Sequence, residues 1–404
     1  MNQSKTLIAN AEVIEPGRSV RHSNVLIAHG KIAAIDAQTD VLEGVDERID
    51  ATGLTLTPGL IDLHIHGIGV SLFEAGPNDL IRGSEALLEY GTTCVLPTFY
   101  TIMKASMLAK LEQLANALDD VSGAVMPGVH LEGPFLALAG AGASTVPGDL
   151  RLLDDLLGAA GGRIRAMSVS PETKNILPVI ERLREQEIAV FLTHTRATVE
   201  QTLAAIDAGA CHATHFYDVF PVPPESDPGA RPVGAVETIL ADPRCTVDFI
   251  CDGVHVHPMA IRAALAAKGW QGLIAVTDAN IGAGMGEGVY ATPWGYSVRV
   301  RPGDGARVAD RDHLLHGQLA GSLLTLDKAV SHLLGWLDLE PSQVWAMATI
   351  NPARCVGLKA KGRLEVGADA DLVLWERTAG QYRAVRTWVG GRCAYEAEAE
   401  LAHS

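Results

Sequence analysis

Aromatic side chains are scarce, 5% of 404 residues, so a large core has to be packed by Ala, Val, Leu and Ile; with 48% hydrophobic residues there are enough of them. Runs rich in Lys or Arg are missing, and acidic residues outnumber basic ones by 48 to 32, a formal net charge of −16. Tracking a nucleic-acid backbone needs clustered cations, so no nucleic-acid partner is expected. A small anionic substrate would need its own local cationic clamp. No apolar run reaches the roughly 18 residues that span a bilayer, so no membrane partner is expected either. The opening stretch MNQSKTLIANAEVIEPG carries Glu12 and Glu15 and has no long apolar segment, which argues against a secretory signal. The six cysteines, Cys94, Cys211, Cys245, Cys251, Cys355 and Cys393, are scattered without a CxxC pair. A chain of this size needs no disulfide staples, and buried reduced thiols in a cytoplasmic protein are the expectation.

What is present is an alternation. Eight β-rich runs end in polar residues: 60–67 (LIDLHIHG), 92–99, 124–133, 164–172, 188–195, 212–219 (HATHFYDV), 246–253 and 273–279 (LIAVTDA). Between most of them lie Ala- and Leu-rich segments of helical spacing, such as MLAKLEQLANAL and TVEQTLAAIDAG. Strands alternating with helices favour a parallel sheet, and eight such units predict a closed (β/α)₈ TIM barrel over 57–356. A Gly-rich excursion, Ile281–Gly317, follows the eighth run. Residues 1–56 and 357–404 are β-rich and turn-punctuated, with Gly390–Gly391 as a hairpin turn. They are expected to meet in one composite β-sandwich.

Ligand-type residues cluster at or just beyond the C-terminal ends of the runs, where barrel active sites are built. The first run offers Asp62, His64 and His66, the two histidines spaced to share one face of a strand. The third ends in Glu132, the fifth in His194, the sixth carries His215, the seventh leads into Asp252, His255 and His257, and the eighth ends in Asp278. A single histidine in such a place is usually a hydrogen-bonded packing residue. Five strands with ligand types at their ends, the first, third, fifth, sixth and eighth, meeting at one rim instead point to a metal centre. His130 and His212 are out of phase or at a strand start and read as structural. Asp62 reads as a partner that orients a histidine or as a strand-end cap. His22, His29, His313, His316, His332 and His403 read as surface or packing residues.

At these positions the chain resembles the amidohydrolase superfamily and, within it, the N-acetylglucosamine-6-phosphate deacetylases. The matching segments run in order through most of the chain: TPGLIDLHIHG (57–67), GVHLEGPFL (128–136), LTHTRATVEQ (192–201), CHATHFYDV (211–219), CDGVHVHP (251–258), VTDA (276–279), GQLAGSLLTLDKAV (317–330), NPAR (351–354) and GRLEVGADADLVLW (362–375). The resemblance implies a divalent metal held by Glu132, His194 and His215, with a second on His64 and His66 bridged by Glu132. Zinc is the first expectation; iron, manganese and cobalt have overlapping preferences. It implies Asp278 as general base and acid, His255 on the substrate carbonyl, a small-molecule substrate and a homodimer. Substrate contacts would fall on Ser144, Asp218, Val219, Ser226, Arg231, His255 and Leu319. Relatives that bridge two metals through a carboxylated lysine place it on the fourth strand; here Lys174 lies beyond that strand and Glu132 takes the bridging place.

Three departures bear on the substrate. Asp218 stands where the family carries Asn, Ser226-Asp227-Pro228-Gly229 lacks the family's arginine, and the family's GAH reads Gly142-Ala143-Ser144. Losing a cation and gaining an anion suits a phosphate dianion poorly. Arg231 either restores the clamp from a shifted loop or is a surface residue. Three readings stay open: hydrolysis of an N-acetyl amino sugar or its 6-phosphate; another amidohydrolase reaction, such as N-acyl amino acid deacylation or hydrolysis of a small heterocycle; and a non-catalytic scaffold.

Overall fold

The computed structural model describes residues 5–37, 44–101, 104–139, 143–224, 227–292, 295–301 and 303–398. Eight parallel strands form one sheet in sequential order: Leu60–Ile65, Thr92–Tyr100, Val129–Glu132, Ile164–Val169, Ala189–Leu192, His212–Ala213, Thr246–Ile250 and Leu273–Val276. A parallel bridge from Ile65 to Ala279 joins the last strand to the first and closes the barrel. Each expected run thus contains a strand, most of them shorter than the run. Helices such as Met107–Ala117, Leu150–Ala159 and Val199–Ala208 cover the outside. Their starts follow local chemistry: Asp149 accepts from the Arg151 and Leu152 amides, and Thr198 and Gln201 form a reciprocal capping box.

The barrel interior explains how aromatic poverty is tolerated. Its lower layer is Ile61, Leu63, Cys94, Leu96, Ala166, Phe191, Ile274 and Val276, closed from below by Ala353 and Val356 of the segment after the last long helices. Small and branched side chains fill such a tapering lumen, as barrel layers require. The pairing of the first strand with the second shifts register between Asp62 and Ile65. Ile61 and Leu63 pack in the lumen below this irregularity, and His64 and His66 reach the centre above it, a use of local irregularity common beside active sites.

Both chain ends supply one continuous eight-stranded sheet. Its five N-terminal strands lie within Thr6–Pro58, and its three C-terminal strands are Leu372–Thr378, Gln381–Val389 and Arg392–Glu396. One face closes over its own core of Ile8, Val25, Ile27, Leu56, Leu372, Leu374 and Trp388. Val373 and Trp375, on the alternate face, join the main core against the barrel. Leu372–Trp375 are buried on both faces, which is why the strand opens on an unbroken apolar run before Glu376, Arg377 and Thr378 leave the core. Gly390 and Gly391 have φ of 53° and 73°, the paired positive values of the tight hairpin turn expected there. The excursion after the eighth strand holds an antiparallel three-stranded sheet, Gly288–Ala291, Ser297–Arg301 and Gly305–Val308, which was not anticipated.

Candidate metal centre

Glu132 is the hub of the barrel mouth. Its Oε1 lies 3.0 Å from His194 Nε2 and 3.3 Å from His215 Nε2. Its Oε2 lies 3.5 Å from His66 Nε2 and 3.8 Å from His64 Nε2. Asp278 Oδ1 completes the second half, 3.2 Å from His66 Nε2 and 3.6 Å from His64 Nε2. Ligand atoms of His64, Glu132 and His215, and of His64, His66 and Asp278, lie within 4.8 Å of one another. The four histidines and Glu132 are at most 3% exposed in their side chains, while Asp278 keeps 15% toward the cleft. The five residues expected at the metal, His64, His66, Glu132, His194 and His215, are therefore brought together, and Asp278, expected as general base, stands with them.

The hydrogen-bond directions show what this cluster lacks. His66 Nδ1 faces the Thr98 carbonyl at 3.1 Å and must donate its N–H there. Its Nε2 faces Glu132 Oε2 and Asp278 Oδ1, so a neutral ring would turn a lone pair toward two carboxylates unless a cation, a proton on the ring or a metal ion, stands between them. His64 is held through Nδ1 by Thr214 Oγ1 at 2.8 Å. Among the described residues, His64 Nε2 and Glu132 Oε2 are buried without a hydrogen-bond partner. An orphaned buried polar atom costs about 1–3 kcal/mol, and two that face each other across imidazoles and carboxylates fit a divalent cation. The charges pull the same way. Burial pushes the Asp278 carboxyl up, but its hydrogen bond to His66 and the neighbouring imidazoles bring it down to about 2. Burial disfavours the His215 imidazolium, yet Glu132 carries it up to about 10. Burial opposes Glu132 too, and hydrogen bonds from His194 and His215, with the His64 imidazole nearby, hold it well below the usual carboxylate range.

Backbone geometry concentrates at the same residues. His194, His215 and Asp278 have φ of 47°, 35° and 48°, and Tyr217 and Val219 have 77° and 54°. Left-handed conformations are uncommon for such residues and cluster at functional sites. Asp248, buried on the seventh strand, secures one of them by accepting from the His215 amide and from His212 Nε2, the latter at 2.8 Å. Asp248 was not anticipated. His212 and His130 are structural, as expected; His130 bonds Ser168 Oγ at 2.7 Å and the Leu63 carbonyl at 3.1 Å. Asp62 caps rather than orients a ring: it accepts from the His64 amide and from Thr277 Oγ1 at 2.6 Å, tying the first strand to the eighth.

A cleft of about 650 Å³ opens above the cluster. His255, Asp218, Val219 and Leu319 line it, as do Glu74, Tyr100, Asn280, Tyr296, His313 and Gln318, which sequence reasoning passed over. His313, expected at the surface or in packing, is thus a cleft residue, carried there by the segment after the unanticipated sheet. Asp252 accepts from His255 Nδ1 at 2.7 Å and from the Val254 and His255 amides, so the ring is held with Nε2 free of this contact. Arg231 is not brought to the cleft: its side chain is 72% exposed and paired with Glu237 at 2.6 Å. Ser144 donates its amide to the Thr101 carbonyl and is not among the described lining residues. Ser226 and His403 lie outside the described residues, and Lys174 sits past the fourth strand, away from Glu132, beside Val146–Leu152.

Residues 55–284 and 310–394 match the amidohydrolase family. The chain is 32% identical over 380 residues to the N-acetylglucosamine-6-phosphate deacetylase of Bacillus subtilis, covering 91% of this chain and 92% of that one. It is likewise 32% identical over 378 residues to the N-acetylgalactosamine-6-phosphate deacetylase of Escherichia coli O157:H7, covering 91% and 93%. Among solved structures, a mutant N-acetyl-D-glucosamine-6-phosphate deacetylase from Mycobacterium smegmatis, in complex with N-acetyl-D-glucosamine-6-phosphate, superposes with a TM-score of 0.83 at 28% identity, covering 97% and 99%.

Proposed function

Because the chain belongs to the amidohydrolase family, in the branch of the N-acetylglucosamine-6-phosphate deacetylases, we propose that it hydrolyses the N-acetyl group of an amino sugar or of its 6-phosphate. The observation that carries this reading is the division of Glu132 between two pairs of histidines, with Asp278 beside one pair and a cleft above. A cation at Glu132, His194 and His215, and a second at His64, His66 and Asp278, would supply Lewis acidity and a water acidified to a pKa of about 7. Zinc is the first candidate for this donor set, and iron, manganese or cobalt the alternatives.

The residues of the chain divide the remaining work. Asp278, ionised and at the cleft floor, takes a proton from the attacking water and returns it to the amide nitrogen as the C–N bond breaks, so that a neutral amine leaves. His255, fixed by Asp252, presents Nε2–H to the acetyl carbonyl oxygen as negative charge develops there. Its basicity supports that role: burial disfavours the charged ring, but Asp252 raises its pKa overall. Val219 and Leu319 supply apolar walls. A cytoplasmic homodimer remains part of the proposal.

Acetate release from N-acetylglucosamine, N-acetylgalactosamine, their 6-phosphates and N-acyl amino acids tests the reading on metal-loaded protein. Turnover of an amino sugar that a chelator abolishes and added metal restores is the expected outcome. Turnover confined to N-acyl amino acids, or undiminished after chelation, would overturn it.

A further inference from the structure

The cleft pairs carboxylates with neutral polar groups, and the described residues that line it include no lysine or arginine. Apart from Glu132 and Asp278, Glu74 and Asp218 stand on its walls, and the basic side chains among the described lining residues are imidazoles, with His255 and His313 on the walls. Nearby guanidinium and ammonium groups are committed or placed elsewhere. Arg307, whose backbone pairs with the cleft residue Leu319, spends its side chain on Asp304 at 2.7 Å and on the Gly317 carbonyl at 3.0 Å. Arg231 is held by Glu237 at the surface. Lys104 and Lys110 line a neighbouring cavity of about 200 Å³ that shares Glu74 and Tyr100 with the cleft.

A phosphate dianion offers only acceptor oxygens, so each wall carboxylate would repel it and none could bond it. A hydroxyl donates, and a carboxylate is its strongest partner. Tyr100, stacked on His66, and Tyr296, packed against His313, add aromatic surface to the lining, and Asn280 and Gln318 add amide groups able both to donate and to accept. From these observations we infer that the cleft is built for the uncharged hydroxyl groups of a free N-acetylated sugar, with Asp218 and Glu74 as hydroxyl acceptors, and that it discriminates against the phosphorylated form. This rests on the deacetylase reading above and narrows it to a substrate class that the phosphate-specific names of the relatives do not describe.

The test compares kcat/KM for each free N-acetylhexosamine with that for its 6-phosphate on the metal-loaded enzyme, in wild type and in Asp218→Asn. Like charge set against like charge is costly, so the free sugar should be preferred by about tenfold or more. Asp218→Asn, which keeps the shape of the side chain, should lower that preference by about tenfold. A higher kcat/KM for the 6-phosphate would overturn the inference while sustaining the deacetylase reading, and would mean that a cation reaches the cleft from outside these residues. If neither sugar is hydrolysed, the deacetylase reading falls, and equilibrium binding decides the inference: free sugar bound in preference to 6-phosphate supports it, the reverse overturns it.

Discussion

Replacing Asp278 by Asn separates proton transfer from everything else the residue does. The exchange preserves shape, so an oxygen can stay 3.2 Å from His66 Nε2, and the backbone bond from the Asp278 amide to the His64 carbonyl, 2.8 Å, is untouched. The φ of 48° at this position is also compatible with Asn, which enters the left-handed region as readily as Asp. What disappears is a negative charge and a site that holds a proton. A positioned general acid–base contributes about 10²–10⁴-fold, or about 3–5 kcal/mol on the barrier at roughly 1.4 kcal/mol per decade. The expected result is therefore a fall of that size in kcat with the cation at Glu132, His194 and His215 retained. Steady-state acetate release and elemental analysis of the same preparation read the two quantities independently. A kcat within about tenfold of wild type, with metal content unchanged, would refute the assignment and place the proton on another group. Loss of all metal would show instead that Asp278 is chiefly a ligand.

Two further outcomes follow from the same structure. Asp252 is held below the usual carboxylate range by His255 despite burial, and His255 is raised in return. The pair stabilises the fold between these limits: the histidine's share is complete below about 6.5 and is lost as pH rises through its raised value, and the aspartate's share is lost as pH falls through its lowered one. Asp252→Asn removes the cause of the raised histidine, so the alkaline limb of kcat/KM should move to lower pH; an unmoved limb would exclude His255 as the titrating group. Gly91, with φ of 68°, lies where an added Cβ would come within 2.2 Å of Trp375 Cη2. Gly91→Ala combines a left-handed penalty with overpacking between barrel and terminal sheet, about 2–5 kcal/mol in sum. Its unfolding midpoint in urea should fall while the kcat of the folded enzyme stays unchanged; an unchanged midpoint would show that the interface yields.

The barrel was legible because its strands are buried on both sides. A run such as Leu60–Ile65, buried at every position, leaves no alternation to blur, and the Ala- and Leu-rich segments between runs carry the contrasting period. The residues of the His, Glu and Asp cluster were legible because they fall where those runs stop. The same logic overran at the sixth strand. Residues 212–219 read as one β-run, yet only His212–Ala213 pairs, because the chain enters left-handed conformations at His215, Tyr217 and Val219. Side chains with a Cβ give no warning of such a turn; Asp248, bonded to the His215 amide, sustains it from another strand. The small sheet of the excursion did leave a trace, since SVRVR and GARV flank the turn-type residues Gly303-Asp304, but glycine content masked it.

That missed sheet shows why substrate chemistry is harder to read than metal chemistry in this fold. A metal site is assembled from strand ends, which the barrel fixes in a ring, so spacing along the chain maps almost directly onto space. The cleft wall is assembled from loops whose direction depends on long-range contacts: His313 and Gln318 reach it only because Val308 is tied to Gln318 and Gly317 and Arg307 to Leu319. Arg231 is the converse case. Its position in the chain, shortly after Asp218, favoured a place at the substrate, but a single contact with Glu237 holds it in solvent. Charge at the cleft is thus decided by which side chains the loops sequester, and two chains with the same cluster at their strand ends can present oppositely charged clefts.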